Sequence, residues 1–493
     1  MIIEHLPALQ VVVPLMAAPM IILLRSGRAG WLIATLVSWV ALAIAVMLFM
    51  QVQTAGVISY AIGNWPPPWG IEYRVDALNA FVLVLVSLIA AIVLPYARAS
   101  IAAEMPSDRH YLLYSMFVLC LCGLLGITIT GDAFNVFVFL EISSLSGYVL
   151  IALGRDRSAL LAAFQYLIMG TIGATFYIIG VGLLYLMTGT LNLTDMATRL
   201  TAISEPRPVL TALAFIVTGL SMKIALFPLH VWLPGAYAGA PSAVAAFVAG
   251  TATKVSVYVL LRFMFGVFGV QILLPDVSVL SFLMIFSAAA MIVASLAALF
   301  ERDMRRLLAH SSIAQIGYIT LGFSLGNAEG MTASIVHLFN HGIAKSALFM
   351  LTGCILLQVG TCRLEALSGL ARRMPATCFG VVVAGLSLVG VPGTAGFITK
   401  WHLVLAALQA GNWWIVGTIA VSSLLAAAYV WRFVEIAYLR DPSPGISASH
   451  EVSLQLMIPA WVLVAACVYF GLEPSFPLGA ARDAAAMLFG GLH

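Results

Sequence analysis

Four lysines are the residues with the most chemistry to offer. The chain holds 19 arginines and only four lysines, Lys223, Lys254, Lys345 and Lys400. All four lysines fall inside apolar runs, whereas nearly every arginine lies in a polar connection or at the end of a run. Arginine stays protonated in proteins, but a desolvated lysine gives up its proton. Lysines are therefore the basic side chains suited to proton relay at membrane depth. Lys254 lies near the middle of SAVAAFVAGTATKVSVYVLLRF, too deep to reach an interface easily. Lys223 precedes Pro228 by five residues, and Lys400 follows Pro392 by eight and precedes Trp401-His402. For Lys400 an interfacial snorkelling anchor is the competing reading.

Lys345 ends a ladder with His337 and His341. Steps of four put the three side chains on one helix face over about 12 Å of rise. That is the geometry of a relay, or of a polar stripe between helices. Among the acids Glu141 stands out, because the run FNVFVFLEISSLSGYVLIALG around it carries no other charge. A buried carboxylate neutralises or pairs with a cation, and lysines of other spans are its natural partners. Forming and breaking such a pair would hold and release a proton.

Composition dictates the elements that carry these groups. Of 493 residues 62% are apolar and 9% charged, against roughly a quarter charged in a soluble domain. Apolar runs of about 20 residues recur along the chain, and no alternation marks a membrane barrel. The fold class is all-α and polytopic, spanning a bilayer. Fourteen spans are expected, approximately 7–24, 31–53, 75–96, 111–131, 133–153, 159–188, 208–230, 240–267, 277–300, 307–325, 331–359, 376–409, 412–438 and 453–472. The longest polar connections are 54–74, 189–207 and 439–452. Arginines crowd the loops after odd-numbered spans, and the loops after even-numbered ones hold only Arg74, Arg199 and Arg207. By the positive-inside rule both termini lie outside the cytoplasm.

Two spans carry breaks. Pro228 and Pro234 lie in the segment 228–241 that breaks the run at the end of the seventh, and Gly390-Val391-Pro392-Gly393 breaks the twelfth. As one straight helix residues 376–411 would measure about 54 Å, too long for one crossing. Breaks at corresponding places in two halves mark inverted-repeat transporters; an ordinary proline kink is the bland alternative. The six cysteines have neither iron–sulfur nor zinc spacing, so no metal and no cofactor is expected. The net charge of +3 gives no reason to expect a nucleic-acid partner. The N-terminus lacks the basic region and cleavage site of a removable signal.

Taken together, the segments around Glu141, Lys223, Lys254, Lys345 and Lys400 resemble the proton-conducting membrane subunit family. That family includes the A-type and D-type subunits of Mrp antiporters and the antiporter-like subunits of respiratory complex I and membrane-bound hydrogenases. The resemblance covers roughly residues 75–440. It implies 14 helices, three N-terminal helices in 1–110, two inverted five-helix repeats at 111–267 and 277–438, and a last helix at 453–472. It further implies that Glu141 pairs with Lys223, that Lys254 and Lys345 with His341 relay protons, and that Lys400 is the terminal group; His337 joins the relay by its spacing. The phrasing GDAFNVFVFLEI and the length look most like the D-type subunit of an Mrp Na⁺/H⁺ antiporter in a bacterial inner membrane; the lysine at 400 argues against the complex I subunit that carries a glutamate there, while the N type keeps a lysine at that place. The alternatives are the N or M type of complex I subunit, a hydrogenase subunit, and a stand-alone channel or non-conducting scaffold. Each of the first readings implies other membrane subunits as partners, with H⁺, and in an antiporter Na⁺ as well, moving through the complex.

Overall fold

Helix starts along the chain follow from short polar side chains that satisfy the free N–H groups of a first turn. In the computed structural model, which describes residues 3–155, 157–203, 206–269, 273, 277–442 and 450–490, Asp76 caps one helix in a reciprocal box with Asn79. Asp132, Asp303 and Asn327 cap three more. Between such caps the chain forms α1 (Leu6–Leu24), α2 (Gly27–Ala55), α3 (Ala77–Glu104), α4 (His110–Ile129), α5 (Ala133–Ala152) and α6 (Arg157–Thr188). There follow α7 (Leu193–Leu200), α8 (Pro206–Ile224), α9 (Trp232–Gly239) and α10 (Ser242–Leu261), the last continued by a wider π-turn to Phe268. The second half comprises α11 (Val277–Phe300), α12 (Met304–Ser324), α13 (Ala328–Val359), α14 (Pro375–Val389) and α15 (Ala395–Gln409). The chain then forms α16 (Trp413–Val434), α17 (Leu454–Leu472) and α18 (Ser475–Gly490).

Among the described residues, 12 helices are long and apolar enough to cross a bilayer. The two other expected spans are present in a different form. Span 307–325 appears as α12, whose first half (Arg305, Arg306, His310, Ser311, Ser312) is too polar to pass on composition. Span 376–409 appears as the pair α14 and α15, each too short to cross alone. Their junction is a turn in which Thr394 N–H donates to the Val391 carbonyl at 3.1 Å. Pro392 and Gly393 occupy its corners, and Gly393 takes the positive φ of 87° that such a turn needs.

Three features depart from the expected outline. The connection 54–74 holds a small antiparallel hairpin, β1 (Ile58–Ala61) with β2 (Glu72–Val75), in register Ile58↔Val75. The seventh-span break lies at 225–231; Pro234 sits in the first turn of α9, where a missing N–H costs nothing. Pro234 is thus no break. An additional helix, α18, packs back on α3 and α13. Residues 443–449 of the connection 439–452 lie outside the described residues.

The most enclosed helices are α3, α4, α10, α12 and α13, while α1, α2, α6, α11, α16 and α17 turn large apolar side chains outward. At the centre α10 and α13 cross with almost no side chain between them. A Cβ on Gly250 would overlap Ser346 Oγ, and one on Gly342 would lie 3.0 Å from the Gly250 carbonyl. Small residues at such crossings let backbones touch. This contact brings Lys254, one turn beyond Gly250, against the His341–Lys345 ladder.

The arginine asymmetry gives a direct test of orientation. The six native cysteines are buried, so labelling background is low. A cysteine replacing exposed Arg302 is expected to react with an impermeant maleimide only in everted vesicles, and one replacing exposed Gln409 only in intact cells.

Candidate functional site: a buried row of basic side chains

Helix α8 ends at Ile224 because Ala225 turns to a positive φ of 63°. The Met222 carbonyl accepts from the Ala225 N–H at 3.3 Å and from Trp232 Nε1 at 3.0 Å. Lys223, in the last turn, is buried; a cation there complements the helix dipole. Its Nζ donates to Ser144 Oγ at 2.7 Å and lies 3.6 Å from Glu141 Oε1, both on α5. A small cavity of about 20 Å³ joins Lys223 to Val248, Ala252 and Ser256 of α10, enough room for one water.

The other lysines have no carboxylate against them among the described residues. Lys254 donates to the Ala249 carbonyl of its own helix and, at 3.4 Å, to Thr253 Oγ1. It lies within Coulombic reach of His337, His341 and Lys345. Lys345 crosses to α12, where its Nζ donates to the Leu308 carbonyl at 2.8 Å and to Ser311 Oγ at 2.5 Å. The His337 and His341 rings stack at 5.7 Å, and His337 Nε2 sits 2.8 Å from Gln315 Oε1. Tyr318 follows, its ring 5.8 Å from that of His337 and 4.6 Å from the Lys400 Nζ above its face. Lys400 Nζ donates to the Val389 carbonyl at 2.7 Å and to Ser423 Oγ at 2.9 Å. Val389 is the last residue of α14. Its carbonyl is available because Gly390 leaves the helix at φ 82°, and a Cβ there would lie 2.6 Å from Lys400 Cδ.

The structure places Lys254, Lys345, His341, His337 and Lys400 along one buried row, and the Glu141–Lys223 pair reaches α10, the helix of Lys254, through the small cavity. Of the break residues, Pro228 lies in the irregular segment after Lys223, and Pro392 and Gly393 in the turn before Lys400.

Other groups are not singled out by sequence. Gln315, Tyr318, Ser144, Ser311 and Ser423 partner the row but lie far from it in the chain, and nothing in their local sequence marks them. Arg262 is different. It is a cation within an apolar run, the same signal the lysines give, and it is buried in a bidentate pair with Asp76 at 2.7 and 2.9 Å. A vestibule of about 930 Å³ opens beside α9, lined by Gln165, His230, Glu301, Arg306, His310 and Arg363. Within it Glu301 Oε1 accepts from Arg306 Nε at 3.2 Å and His310 Nε2 at 3.1 Å. Between the vestibule and the Lys223 cavity the Tyr166 ring stacks on Trp232 at 4.0 Å.

Residues 130–426 match the family model described as NADH:quinone oxidoreductase/Mrp antiporter, transmembrane. The chain belongs to this family. It is 42% identical over 470 residues to the N subunit of NADH-quinone oxidoreductase from Desulforudis audaxviator, covering 93% of each chain. It is 29% identical over 438 residues to the D subunit of the Na⁺/H⁺ antiporter from Alkalihalophilus pseudofirmus, covering 88% of this chain and 87% of that one. Among solved structures, a chain of the Mrp complex from a Dietzia species superposes with a TM-score of 0.89 at 27% identity, covering 99% and 98% of the two chains. The protein is thus a multi-pass, antiporter-like membrane subunit that works with other membrane subunits. The sequence expectation leans to the antiporter D type; the higher identity lies with the oxidoreductase N type.

The Asp76–Arg262 pair makes a stability prediction. Asp76→Ala strands a buried guanidinium, which costs about 3–5 kcal/mol. The variant is expected to lower the unfolding temperature and yield of the detergent-solubilised protein, and adding Arg262→Met is expected to restore most of both.

Proposed function

We propose that this chain is the proton-translocating, antiporter-like subunit of a redox-driven membrane complex of the NADH-quinone oxidoreductase type. The observation that carries the reading is the row of four buried lysines, of which only Lys223 has a carboxylate partner among the described residues. Proximity to the oxidoreductase N type, at 42% identity against 29% for the antiporter D type, favours the redox context. Neighbouring subunits would supply the drive, acting through this chain's own titratable groups.

In this reading the vestibule faces the cytoplasm of a bacterial inner-membrane protein whose termini lie on the other side. The Glu141–Lys223 pair gates entry. When the pair closes, both groups are held charged; when it opens, Lys223 loses its counter-ion and passes its proton toward Lys254 through the intervening cavity. Lys254 hands on to Lys345 and the two histidines, and these to Lys400 at the second break. The units 111–267 and 277–438 act as two inverted halves, each contributing one broken helix.

A second reading, a subunit of a Na⁺/H⁺ antiporter, rests on the TM-score of 0.89 with the Dietzia Mrp chain and the match to the antiporter D type. One experiment separates the two. Everted vesicles carrying the whole complex are expected to acidify on addition of NADH and to show no pH change when Na⁺ is added to de-energised vesicles. Lys223→Ala or Lys345→Ala is expected to slow acidification at least about tenfold, with the complex still assembled on native gels. Na⁺-driven exchange without a redox response would support the antiporter. Parent-like rates in both variants would mean that the lysines serve packing.

A further inference from the structure

The row of basic groups ends at Lys400, which is buried and holds its Nζ against the helix break. A proton there still has to reach the surface. The path offered by the structure begins on α13, where the ladder extends one member further than its lysine and histidines suggest. Counting back in fours from Lys345, His341 and His337 leads through Ala333 to Glu329, in the first turn of the same helix. Glu329 lies about 12 Å of rise beyond His337, at the end remote from the vestibule.

Glu329 Oε1 meets His402 Nδ1 at 2.5 Å. His402 belongs to α15, two residues after Lys400. The pair therefore joins the two helices that carry the last three groups of the row. Both side chains keep access to the surface, at 24% for Glu329 and 12% for His402, whereas Lys400, His337 and His341 are buried. Titratable groups on these helices and on those packed against them include Lys400 on α15, His337 and His341 on α13, Tyr318 on α12, Tyr429 and Arg432 on α16 and Tyr469 on α17.

A tie between helices is the competing explanation, but that work is done by uncharged groups. Asn327, which caps α13, donates to the Ala406 carbonyl of α15 at 3.0 Å. Asn340 donates to the Ala395 carbonyl at 2.8 Å and to Thr399 Oγ1 at 3.2 Å. Two amides already hold α13 against α15 on either side of the pair. What Glu329 and His402 add is a proton-exchanging acid–imidazole pair that keeps access to the surface.

We infer that the Glu329–His402 pair is the proton port on the side opposite the vestibule, exchanging protons between Lys400 and bulk water. In the outward direction Lys400 gives up one proton by way of water, the imidazole takes it and becomes an imidazolium beside the Glu329 carboxylate, and release to solvent restores the neutral ring. The inward direction reverses each step.

The inference rests on the proton-translocating reading, and the test keeps the two apart. Glu329→Gln, His402→Gln, Glu329→Asp and Lys345→Ala would be compared in everted vesicles of the intact complex, with the lumen buffered across about pH 5 to 8. The parent rate is expected to follow lumenal pH. Glu329→Gln and His402→Gln are expected to run about tenfold slower and to lose that dependence, while Glu329→Asp retains it. Parent-like rates in both Gln variants, with Lys345→Ala inactive, would overturn the port alone. A fall of equal size at every lumenal pH, with the parent profile kept, would also overturn it, since a mere tie behaves in that way. Full activity in Lys345→Ala would overturn the proton-translocating reading itself.

Discussion

An amine inside a dry helical bundle needs oxygen partners, and that need shapes the centre of this protein. Removing an ammonium from water is costly unless hydrogen bonds replace those lost. One carboxylate, Glu141, faces Lys223. For the others the chain supplies hydroxyls and main-chain carbonyls: Ser311 and Leu308 for Lys345, Ser423 and Val389 for Lys400, Thr253 and Ala249 for Lys254. Neutral acceptors of this kind hold an amine in place without fixing its charge. In the proposed relay, a full counter-ion at every position would hold each proton too firmly to pass on.

Helix termini in the interior follow from the same requirement. A continuous helix consumes its own carbonyls, so a carbonyl that can receive a lysine must come from a helix end or be shared. Gly390 ends α14 and leaves Val389 to accept from Lys400. Ala225 ends α8 one turn past Ser221 and sets Lys223 at a negative helix end, with Trp232 closing the Met222 carbonyl. Leu308 is shared instead: its carbonyl accepts from Ser311, Ser312 and Lys345 together.

Close helix crossing completes the arrangement. Gly250 against Gly342 and Ser346 puts α10 directly on α13, which sets the separation of Lys254 from the histidine ladder. The charged groups outside the row show a different balance. Asp76 with Arg262 is a matched, bidentate pair whose charges neutralise each other, as befits a joint between α3 and the end of α10. The vestibule mixes acids, arginines and histidines at a surface where water screens them.

Much of this is legible in the chain before any fold is known. A lipid-spanning all-α class follows from apolar runs alone, because only a helix satisfies its backbone within one segment. The confinement of lysine to those runs, the four-residue spacing of His337, His341 and Lys345, and the Val-Pro-Gly-Thr turn are local facts, and local rules read them. Pro234 misleads because a proline inside an apolar run looks the same whether it breaks a helix or begins one. The polar start of α12 and the short α18 are blurred for a like reason, since hydropathy averages over a window. What only the tertiary structure decided was partnership: Ser144 and Glu141 for Lys223, Gln315 for His337, Tyr318 and Ser423 for Lys400, Asp76 for Arg262, His402 for Glu329. These contacts join residues tens to hundreds of positions apart, and their geometry depends on helix crossings set by small residues and buried volume, which no pattern within one helix encodes.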